Sequence, residues 1–223
     1  MTAPEADEPP FWDDVLDRIP VCFDLVEHFL VIRDEVLQYI AADKPLQDYP
    51  RYAYFDPDAG IMRPSLYEQS WKAFPFTRFE HEHVELDRPH NGFDLDALIA
   101  RSQERLPATY GVVRSWEQTG CLANGFVSML SPGAVIHPHR GWSDQFLRVH
   151  LCLIDDPGCL ITVGRETRCW LPGHLLAFKD GGPFPHSVRH EGARDRVILS
   201  VDLRLSALTG FCPHVNHSPQ AIP

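Results

Sequence analysis

The most regular hydrophobic pattern in the chain lies near its N-terminus, between Asp24 and Ile40. Apolar residues recur there every three or four positions, which places them along one face of a helix. The positions that define this face are Leu25, Phe29, Ile32, Val36, Leu37 and Ile40. The pattern therefore predicts an amphipathic helix over residues 24–40.

The stretch at 44–92 is rich in proline and aromatic residues and keeps no sustained period. We expect irregular chain here, with short strands such as Phe79–Leu86. Asp94 then has a side chain suited to capping a helix N-terminus. It precedes a short apolar pattern that predicts a second helix, carried by Leu95, Leu98 and Ile99.

From about residue 108 the pattern changes to short runs of strand composition, which are separated by turn signals such as Ser-Pro-Gly at 131–133. The runs are Gly111–Ser115, Gly125–Leu130, Ala134–His137, Gln145–Leu153, Gly158–Val163, His174–Phe178, His186–Arg189 and Arg196–Leu203. About eight short strands without intervening helices are typical of a barrel or a double-sheet jelly roll. We therefore predict a mainly β protein, a cupin-like double-stranded β-helix with the N-terminal helices packed on one sheet.

A chain of 223 residues is long enough for one domain with a sizeable core. We expect a single domain overall, with a jelly-roll core at 108–206 that carries any catalytic site. A helical and irregular region at 11–107 would pack on this core. Residues 1–10 are predicted to be a disordered tail, and residues 207–223 a C-terminal tail.

Composition narrows the classes of partner. The net charge of −11 argues against a nucleic-acid partner, because phosphate backbones attract basic surfaces. No apolar run approaches the roughly 20 residues that span a bilayer, so no membrane partner is expected. The acidic start lacks both parts of a secretory signal, which predicts a cytoplasmic location. The six cysteines form no Cys-x-x-Cys pair and are expected to be free thiols, and no pattern bears on the oligomeric state.

Candidate chemistry concentrates in the second half of the chain. His139 and His186 lie 47 positions apart, each at the edge of a predicted strand, and a rolled sheet can bring such positions together. Imidazole nitrogen is a good ligand for iron(II). Arg196 follows in the next run and has the planar fork that grips a carboxylate. Arg148 and His150 alternate along one strand and so face the same way.

From the residues alone, two interpretations stay open. His139 and His186 form a metal site, or they are unrelated polar residues. Two other ligand patterns are weaker. The segment His83-Val84-Glu85, with His81 beside it, fits a His-x-carboxylate rule but precedes the main strand series. Asp144 lies five positions after His139, which is not the usual spacing for a shared metal.

The segment Phe126–Leu203 resembles the catalytic domain of the aspartyl/asparaginyl β-hydroxylase family. The family pattern runs Ser, Pro-Gly, Pro-His-x-Gly, Arg-x-His, a late His and a final Arg. This chain carries Ser128, Pro132-Gly133, Pro138-His139-Arg140-Gly141, Arg148-Val149-His150, His186 and Arg196. The stretch 158–173 also resembles the family's strand-turn-strand before the late histidine.

The resemblance implies a role for each matching residue at the metal. His139 and His186 would be the iron ligands and the catalytic pair. Gly141 would occupy the place where the wider superfamily carries an Asp or Glu ligand. The resemblance thus implies a two-histidine site, completed by water, and Asp144 remains an alternative to that water.

The resemblance also implies a co-substrate site. Arg196 and Ser128 would bind the distal carboxylate of 2-oxoglutarate, and Arg148 and His150 would contact its metal-chelating end. The protein would then be a 2-oxoglutarate-dependent dioxygenase that uses Fe(II), 2-oxoglutarate and O2. It would hydroxylate an aliphatic carbon of an amino acid, aminoacyl or peptide substrate, Asp/Asn-type β-hydroxylation included.

One departure from the family pattern concerns the substrate. Family members that act on aspartyl residues carry an arginine where this chain has Phe146, so an acidic substrate would lose a positive partner. Arg140 or Arg189 could replace that charge, and Trp142 could line the substrate pocket or belong to the core. The expected substrate is a small molecule, a carrier-bound amino acid or a peptide.

Two other functions stay open. A cupin-type metal enzyme that does not use 2-oxoglutarate would not need both Arg148 and Arg196 in its pocket. A non-catalytic binding module would hold no stoichiometric metal.

Overall fold

The structure, a computed structural model, describes residues 9–42, 46–48, 54–56, 60–77, 95–141 and 143–208. Two antiparallel sheets enclose an apolar core that runs from Phe11 to Leu208. The helices are α1 (Val15–Arg18), α2 (Phe23–Glu27), α3 (Phe29–Ala41), α4 (Leu95–Arg105), α5 (Pro107–Gln118) and α6 (Leu205–Leu208). A 3-10 turn, Pro20–Cys22, precedes α2.

The strands follow one another in two groups. The first group is β1 (Gln47–Asp48), β2 (Tyr54–Asp56), β3 (Ile61–Arg63), β4 (Tyr67–Glu68) and β5 (Trp71–Pro75). The second group is β6 (Leu122–Leu130), β7 (Val135–His139), β8 (Phe146–Ile154), β9 (Cys159–Val163), β10 (Glu166–Cys169), β11 (Leu175–Lys179), β12 (His186–His190) and β13 (Arg196–Arg204).

The second group confirms the predicted double-stranded β-helix. One sheet has the order β1-β5-β6-β13-β8-β11 and the other the order β10-β9-β12-β7-β4, so the chain alternates between them as it rolls. Strands β2 and β3 form a separate hairpin. Nearly every residue of β6 and β13 is buried, because these strands lie inside the larger sheet beneath the helices. Helices α3, α4 and α5 pack on β8, β5 and β6, all in that one sheet.

The helix predicted over residues 24–40 is confirmed, but it is divided in two at His28. The Nδ1 atom of His28 lies 2.8 Å from the carbonyl oxygen of Asp24, a local bond that competes with continued helix. The short helix that contains Leu98 and Ile99 is confirmed as α4. Asp94 and the strand expected at Phe79–Leu86 lie outside the described residues.

The strand predicted at Gly111–Ser115 is wrong, because this segment lies within α5. Pro107 stands in the first turn, where a helix tolerates the missing N–H. The carboxylate of Glu35, on α3, accepts hydrogen bonds from the backbone N–H groups of Ala108 and Thr109 at 2.9 and 2.8 Å. A cap from a residue so distant in the sequence leaves no local signal.

Residues 44–92 contribute more regular structure than predicted. Strand β5 pairs with β6 along five residues, and β4 pairs with β7, the strand that ends at His139. Both main sheets therefore include strands from upstream of residue 108. The Trp-Lys-Ala-Phe-Pro sequence of β5 ends in proline, which is tolerated there because it closes the strand.

The loops after β8 and β12 are joined by one carboxylate. Asp156 Oδ1 accepts the N–H of Gly158 at 2.8 Å, and Oδ2 accepts those of Ala193 and Arg194 at 2.9 Å. These hydrogen bonds hold the pKa of Asp156 below its usual value. A Cβ on Gly192 would lie 1.7 Å from Oδ1, so only glycine fits against the carboxylate.

We expect Asp156→Asn to lower the melting temperature at neutral pH. A carboxyl group whose folded-state pKa is lowered stabilises the protein above its unfolded pKa, and this contribution disappears as the pH falls through the folded pKa. The deficit of the variant should therefore shrink between pH 7 and pH 3, as measured by thermal unfolding. An equal deficit at both pH values would show that the charge of Asp156 is not what joins the loops.

Candidate active site

The two candidate ligand histidines are neighbours across two strands. His139 ends β7, His186 begins β12, and the two residues are direct partners in the register of the sheet. Their ring centroids are 4.1 Å apart and the ring planes are inclined by 55°. His186 is buried, with 5% of its surface exposed. The fold therefore brings the two imidazoles close enough to bind the same ion.

Both rings are neutral at neutral pH. Removal from water lowers the pKa of His139 to about 4, with Arg148 and His137 adding to the effect. Burial, followed by the charges of His139 and Arg148, also lowers the pKa of His186 well below its ordinary value. Neutral imidazole is the form that binds metals, since its unprotonated nitrogen carries a free lone pair.

Hydrogen bonding orients these lone pairs. His139 Nδ1 lies 2.8 Å from the carbonyl oxygen of His137, which can only accept, so Nδ1 carries the proton and Nε2 the lone pair. His186 Nδ1 is buried and makes no hydrogen bond to the described part of the chain. A buried ring nitrogen without a partner is costly unless it binds something. The pair therefore fits a metal ion of the kind that accepts nitrogen ligands.

A carboxylate that the sequence interpretation missed lies against this pair. Asp180 Oδ1 is 3.3 Å from His186 Nε2. A Cβ built on Gly141 would lie only 1.7 Å from Asp180 Oδ2, so the Asp180 carboxylate fills the space of a side chain at 141. Burial raises the pKa of Asp180 to about 6, although Arg148 opposes this. The only sequence signal for Asp180 was its position in the Asp-Gly-Gly-Pro turn before His186.

Of the reserve candidates, only Asp144 is among the described residues, and it does not join the pair. Asp144 is exposed and accepts a hydrogen bond from the side chain of its neighbour Gln145 at 2.8 Å. His81, His83 and Glu85 lie outside the described residues. Within the described ranges, no group of three or more His, Cys, Asp or Glu side chains is arranged to hold a metal.

Arg196 is a buried cation with few partners. Its side chain is 2% exposed, and its Nη1 donates a long hydrogen bond of 3.4 Å to Ser128 Oγ, which also accepts the indole N–H of Trp71 at 3.0 Å. Arg196 Nε is buried without a hydrogen-bond partner, and no carboxylate of the described residues pairs with this guanidinium. The guanidinium also hydrogen-bonds the side chain of Cys159. A buried guanidinium that pairs with no carboxylate is suited to receive an external one.

Arg148 is held differently. Its Nε and Nη2 donate to the two carboxylate oxygens of Asp202, both at 2.8 Å, and its Nη1 lies 2.5 Å from Asp180 Oδ1. Asn124 Nδ2 donates to Asp202 at 3.0 Å. This buried network connects β6, β13 and β8 to the carboxylate beside His186. Arg148 is therefore paired with two carboxylates, those of Asp202 and Asp180, where it lines the site.

One cavity collects the predicted residues. It has an empty volume of about 430 Å³, space open to solvent included, and an otherwise largely apolar wall. Six predicted site residues line it: Ser128, His139, Arg148, His150, His186 and Arg196. Phe146 and Arg140 are not among the lining residues of this cavity, and Arg140 is exposed. Trp142 lies outside the described residues.

A family model described as aspartyl/asparaginyl beta-hydroxylase matches residues 26–205 of this chain. The chain belongs to the aspartyl/asparaginyl β-hydroxylase family. The match extends well upstream of the strand series and includes α3, α4 and α5, so the helices that cover the larger sheet are part of the family unit. It ends at Leu205, immediately after β13.

Curated relatives in the aspartyl/asparaginyl β-hydroxylase family are similar to about half of the chain. Mouse aspartate beta-hydroxylase domain-containing protein 2 is 37% identical over 47% of this chain and 32% of its own length. Mouse aspartyl/asparaginyl beta-hydroxylase is 38% identical over 42% of this chain and 13% of its own length. The chain therefore spans at most about a third of the length of these relatives.

Among solved structures, a predicted oxalate decarboxylase from Thermotoga maritima is 16% identical, with a TM-score of 0.34 over 40% of this chain and 72% of that one. The cupin domain of Cnp3 from Schizosaccharomyces pombe gives a TM-score of 0.33 at 12% identity over 41% of this chain and 58% of that one. Within the described residues, no helix is long and apolar enough to cross a membrane.

Proposed function

We propose that this protein is an Fe(II)- and 2-oxoglutarate-dependent hydroxylase that acts on an aliphatic carbon of an amino acid, aminoacyl or peptide substrate. One observation carries the proposal. A single cavity is lined by two adjacent neutral histidines and by a buried arginine that no described carboxylate neutralises. The pair of histidines suits a metal ion, and the buried arginine suits the carboxylate of a co-substrate.

Each residue then has a defined part. His139 and His186 would hold Fe(II), with the Asp180 carboxylate or a water beside them in place of a side-chain ligand at 141. Arg196 and Ser128 would bind the distal carboxylate of 2-oxoglutarate, and Arg148 and His150 would orient its other end. With O2, the bound iron and 2-oxoglutarate supply an oxidative decarboxylation to succinate and CO2 that hydroxylates a substrate C–H bond.

The apolar part of the wall also has a role. Phe126, Ile136 and Ile161 line the cavity between the polar groups. Apolar walls exclude water, which strengthens the interaction of the carboxylate with Arg196 and limits side reactions of the metal centre.

The substrate preference follows from a charge that position 146 lacks. Phe146 begins β8, where the family pattern for aspartyl substrates has arginine, and it does not line the cavity, so this position supplies no positive charge to an acidic side chain. We therefore propose that neutral amino acid, aminoacyl or peptide side chains are preferred over aspartyl ones. Turnover of 2-oxoglutarate to succinate by iron-loaded protein, across matched neutral and acidic substrates, tests this preference.

Arg196→Lys tests the co-substrate assignment. Lysine keeps the positive charge but loses the two-pronged fork, so we expect the KM for 2-oxoglutarate to rise about 10- to 100-fold. The affinity for the metal should stay unchanged, because Arg196 is not a ligand. Succinate production and metal titration measure the two quantities separately.

The matched control is Arg189→Lys on β12, an exposed arginine paired with Glu191. It should leave both quantities unchanged. An unchanged KM for 2-oxoglutarate in Arg196→Lys would contradict the role given to Arg196. Iron-loaded protein that produces no succinate, with or without substrate, would contradict the use of 2-oxoglutarate. A cupin-type enzyme that uses another co-substrate would then be the better assignment.

A further inference from the structure

Trp170 contacts two of the candidate co-substrate residues at once. It follows the last residue of β10 and is 2% exposed. Its indole N–H donates to His150 Nδ1 at 3.3 Å. The Cζ atom of Arg196 lies 4.7 Å from the centre of the same ring. One rigid side chain therefore touches both polar groups through two different interactions.

The bond to His150 determines which ring nitrogen carries the proton. An indole N–H is only a donor, so His150 Nδ1 has to accept. The buried ring is neutral, because burial lowers the pKa of His150 well below its ordinary value. Its single proton therefore resides on Nε2. His150 lines the cavity with a ring that donates from Nε2 and has its lone pair already engaged.

This tautomer has a consequence for the metal. A histidine whose Nδ1 is occupied and whose Nε2 is protonated has no free lone pair to offer an ion. His150 lines the same cavity as His139 and His186, yet it is held in the form that binds acceptors. The ring of Phe178 packs between these groups, with its centroid 5.4 Å from that of His150 and 5.0 Å from that of His186.

The contact with Arg196 restrains the second group. A guanidinium over an indole face is attracted by the ring quadrupole and held against it. Ser128 bonds the same guanidinium through Nη1. Two contacts in different directions limit the orientations of the fork, which reduces the entropy lost when a carboxylate binds.

We infer that Trp170 is a positioning residue that keeps His150 as a hydrogen-bond donor and orients Arg196. The two groups can then bind a carboxylate-bearing ligand, and His150 does not act as a third metal ligand. The inference rests on the proposed function for the identity of that ligand. The protonation of His150 on Nε2 does not depend on that function and can be measured without any turnover.

The test uses the full chain labelled with nitrogen-15 and loaded with Zn(II) as a diamagnetic substitute for iron. Long-range proton–nitrogen spectra report the tautomer of each histidine, and His150→Gln identifies the His150 signals. We expect His150 to carry its proton on Nε2. In Trp170→Phe, which keeps an aromatic face but loses the N–H, this preference should disappear. With iron in place of zinc, the KM for 2-oxoglutarate of the same variant should rise about 10-fold.

Trp116→Phe is the matched control, because Trp116 is equally buried, does not line the cavity, and donates its N–H to Asp24 at 2.9 Å. It should leave the His150 tautomer and the KM unchanged. A wild-type His150 that carries its proton on Nδ1, or binds zinc through Nε2, overturns the inference, and so does an unchanged tautomer in Trp170→Phe. Absence of 2-oxoglutarate binding with the expected tautomer would count against the proposed function alone.

Discussion

Replacing His186 with alanine is expected to abolish stoichiometric metal binding and, with it, all turnover of 2-oxoglutarate. In the proposed function, His139 and His186 are the two nitrogen ligands of the metal, and their ring centroids are 4.1 Å apart. Loss of a residue that merely supports a ligand lowers metal affinity about 10- to 100-fold, and loss of a ligand should cost more than this. Metal titration followed by native mass spectrometry measures affinity and stoichiometry directly, without a substrate.

His139→Ala should behave in the same way, because neither ring can replace the other. His174→Ala is the control, since His174 is an exposed histidine just before β11 and does not line the cavity. It should leave metal binding unchanged. If the His186 variant kept one tightly bound metal while His83→Ala lost it, the metal would belong to the His83-Val84-Glu85 segment instead.

Asp202→Ala is expected to destabilise the folded protein by about 3–5 kcal/mol, the cost of removing one member of a buried ion pair. Asp202 is 2% exposed and accepts two hydrogen bonds from Arg148 and one from Asn124. Its loss removes the acceptor for Arg148 Nε, Arg148 Nη2 and Asn124 Nδ2, and leaves Asp180 as the carboxylate that pairs with the guanidinium. Denaturant unfolding of metal-free protein measures this free energy.

The double variant Arg148→Met/Asp202→Ala tests whether Asp180 depends on Arg148 once Asp202 is gone. At pH 7 it should be less stable than Asp202→Ala, because the buried Asp180 carboxylate then loses the arginine beside it. Asp144→Ala is the control at an exposed aspartate and should change the stability by less than about 0.5 kcal/mol. A cost below about 1 kcal/mol for Asp202→Ala would mean that Arg148 finds another anion or water at no expense.

Most of the strand series could be predicted because most strands carry their own signal. Strand β10 is the exception, since it matches none of the predicted runs and was covered only by the resemblance of the stretch 158–173. Between residues 122 and 204, apolar and β-branched runs alternate with Pro-Gly turns, and each run maps onto one strand of the β-helix. The helix at α5 could not be predicted in this way. Val112 and Val113 favour a strand locally, whereas the cap from Glu35 and the burial of Trp116 against the core favour a helix.

For the candidate site, the sequence predicted which residues take part but not how they are arranged. The matching residues, from Ser128 to Arg196, were named from the sequence because their types and spacing follow a family pattern. The distances between these residues could not be predicted from the sequence, since only the pairing of β7 with β12 sets His139 beside His186. The sequence likewise named Asp144 as the reserve carboxylate, and the structure places Asp180 there instead.

By itself, the sequence determined the β-helical fold class, the family and the identities of the six cavity residues, because these depend on local periodicity and on residue type in order along the chain. Only the tertiary structure decided which carboxylate lies against His186, how Arg148 is neutralised and which tautomer His150 adopts. Those properties depend on contacts between residues far apart in the chain, such as Gly141 with Asp180 and Trp170 with His150. Because these contacts are buried, the low local dielectric makes their electrostatic interactions stronger than they would be in water.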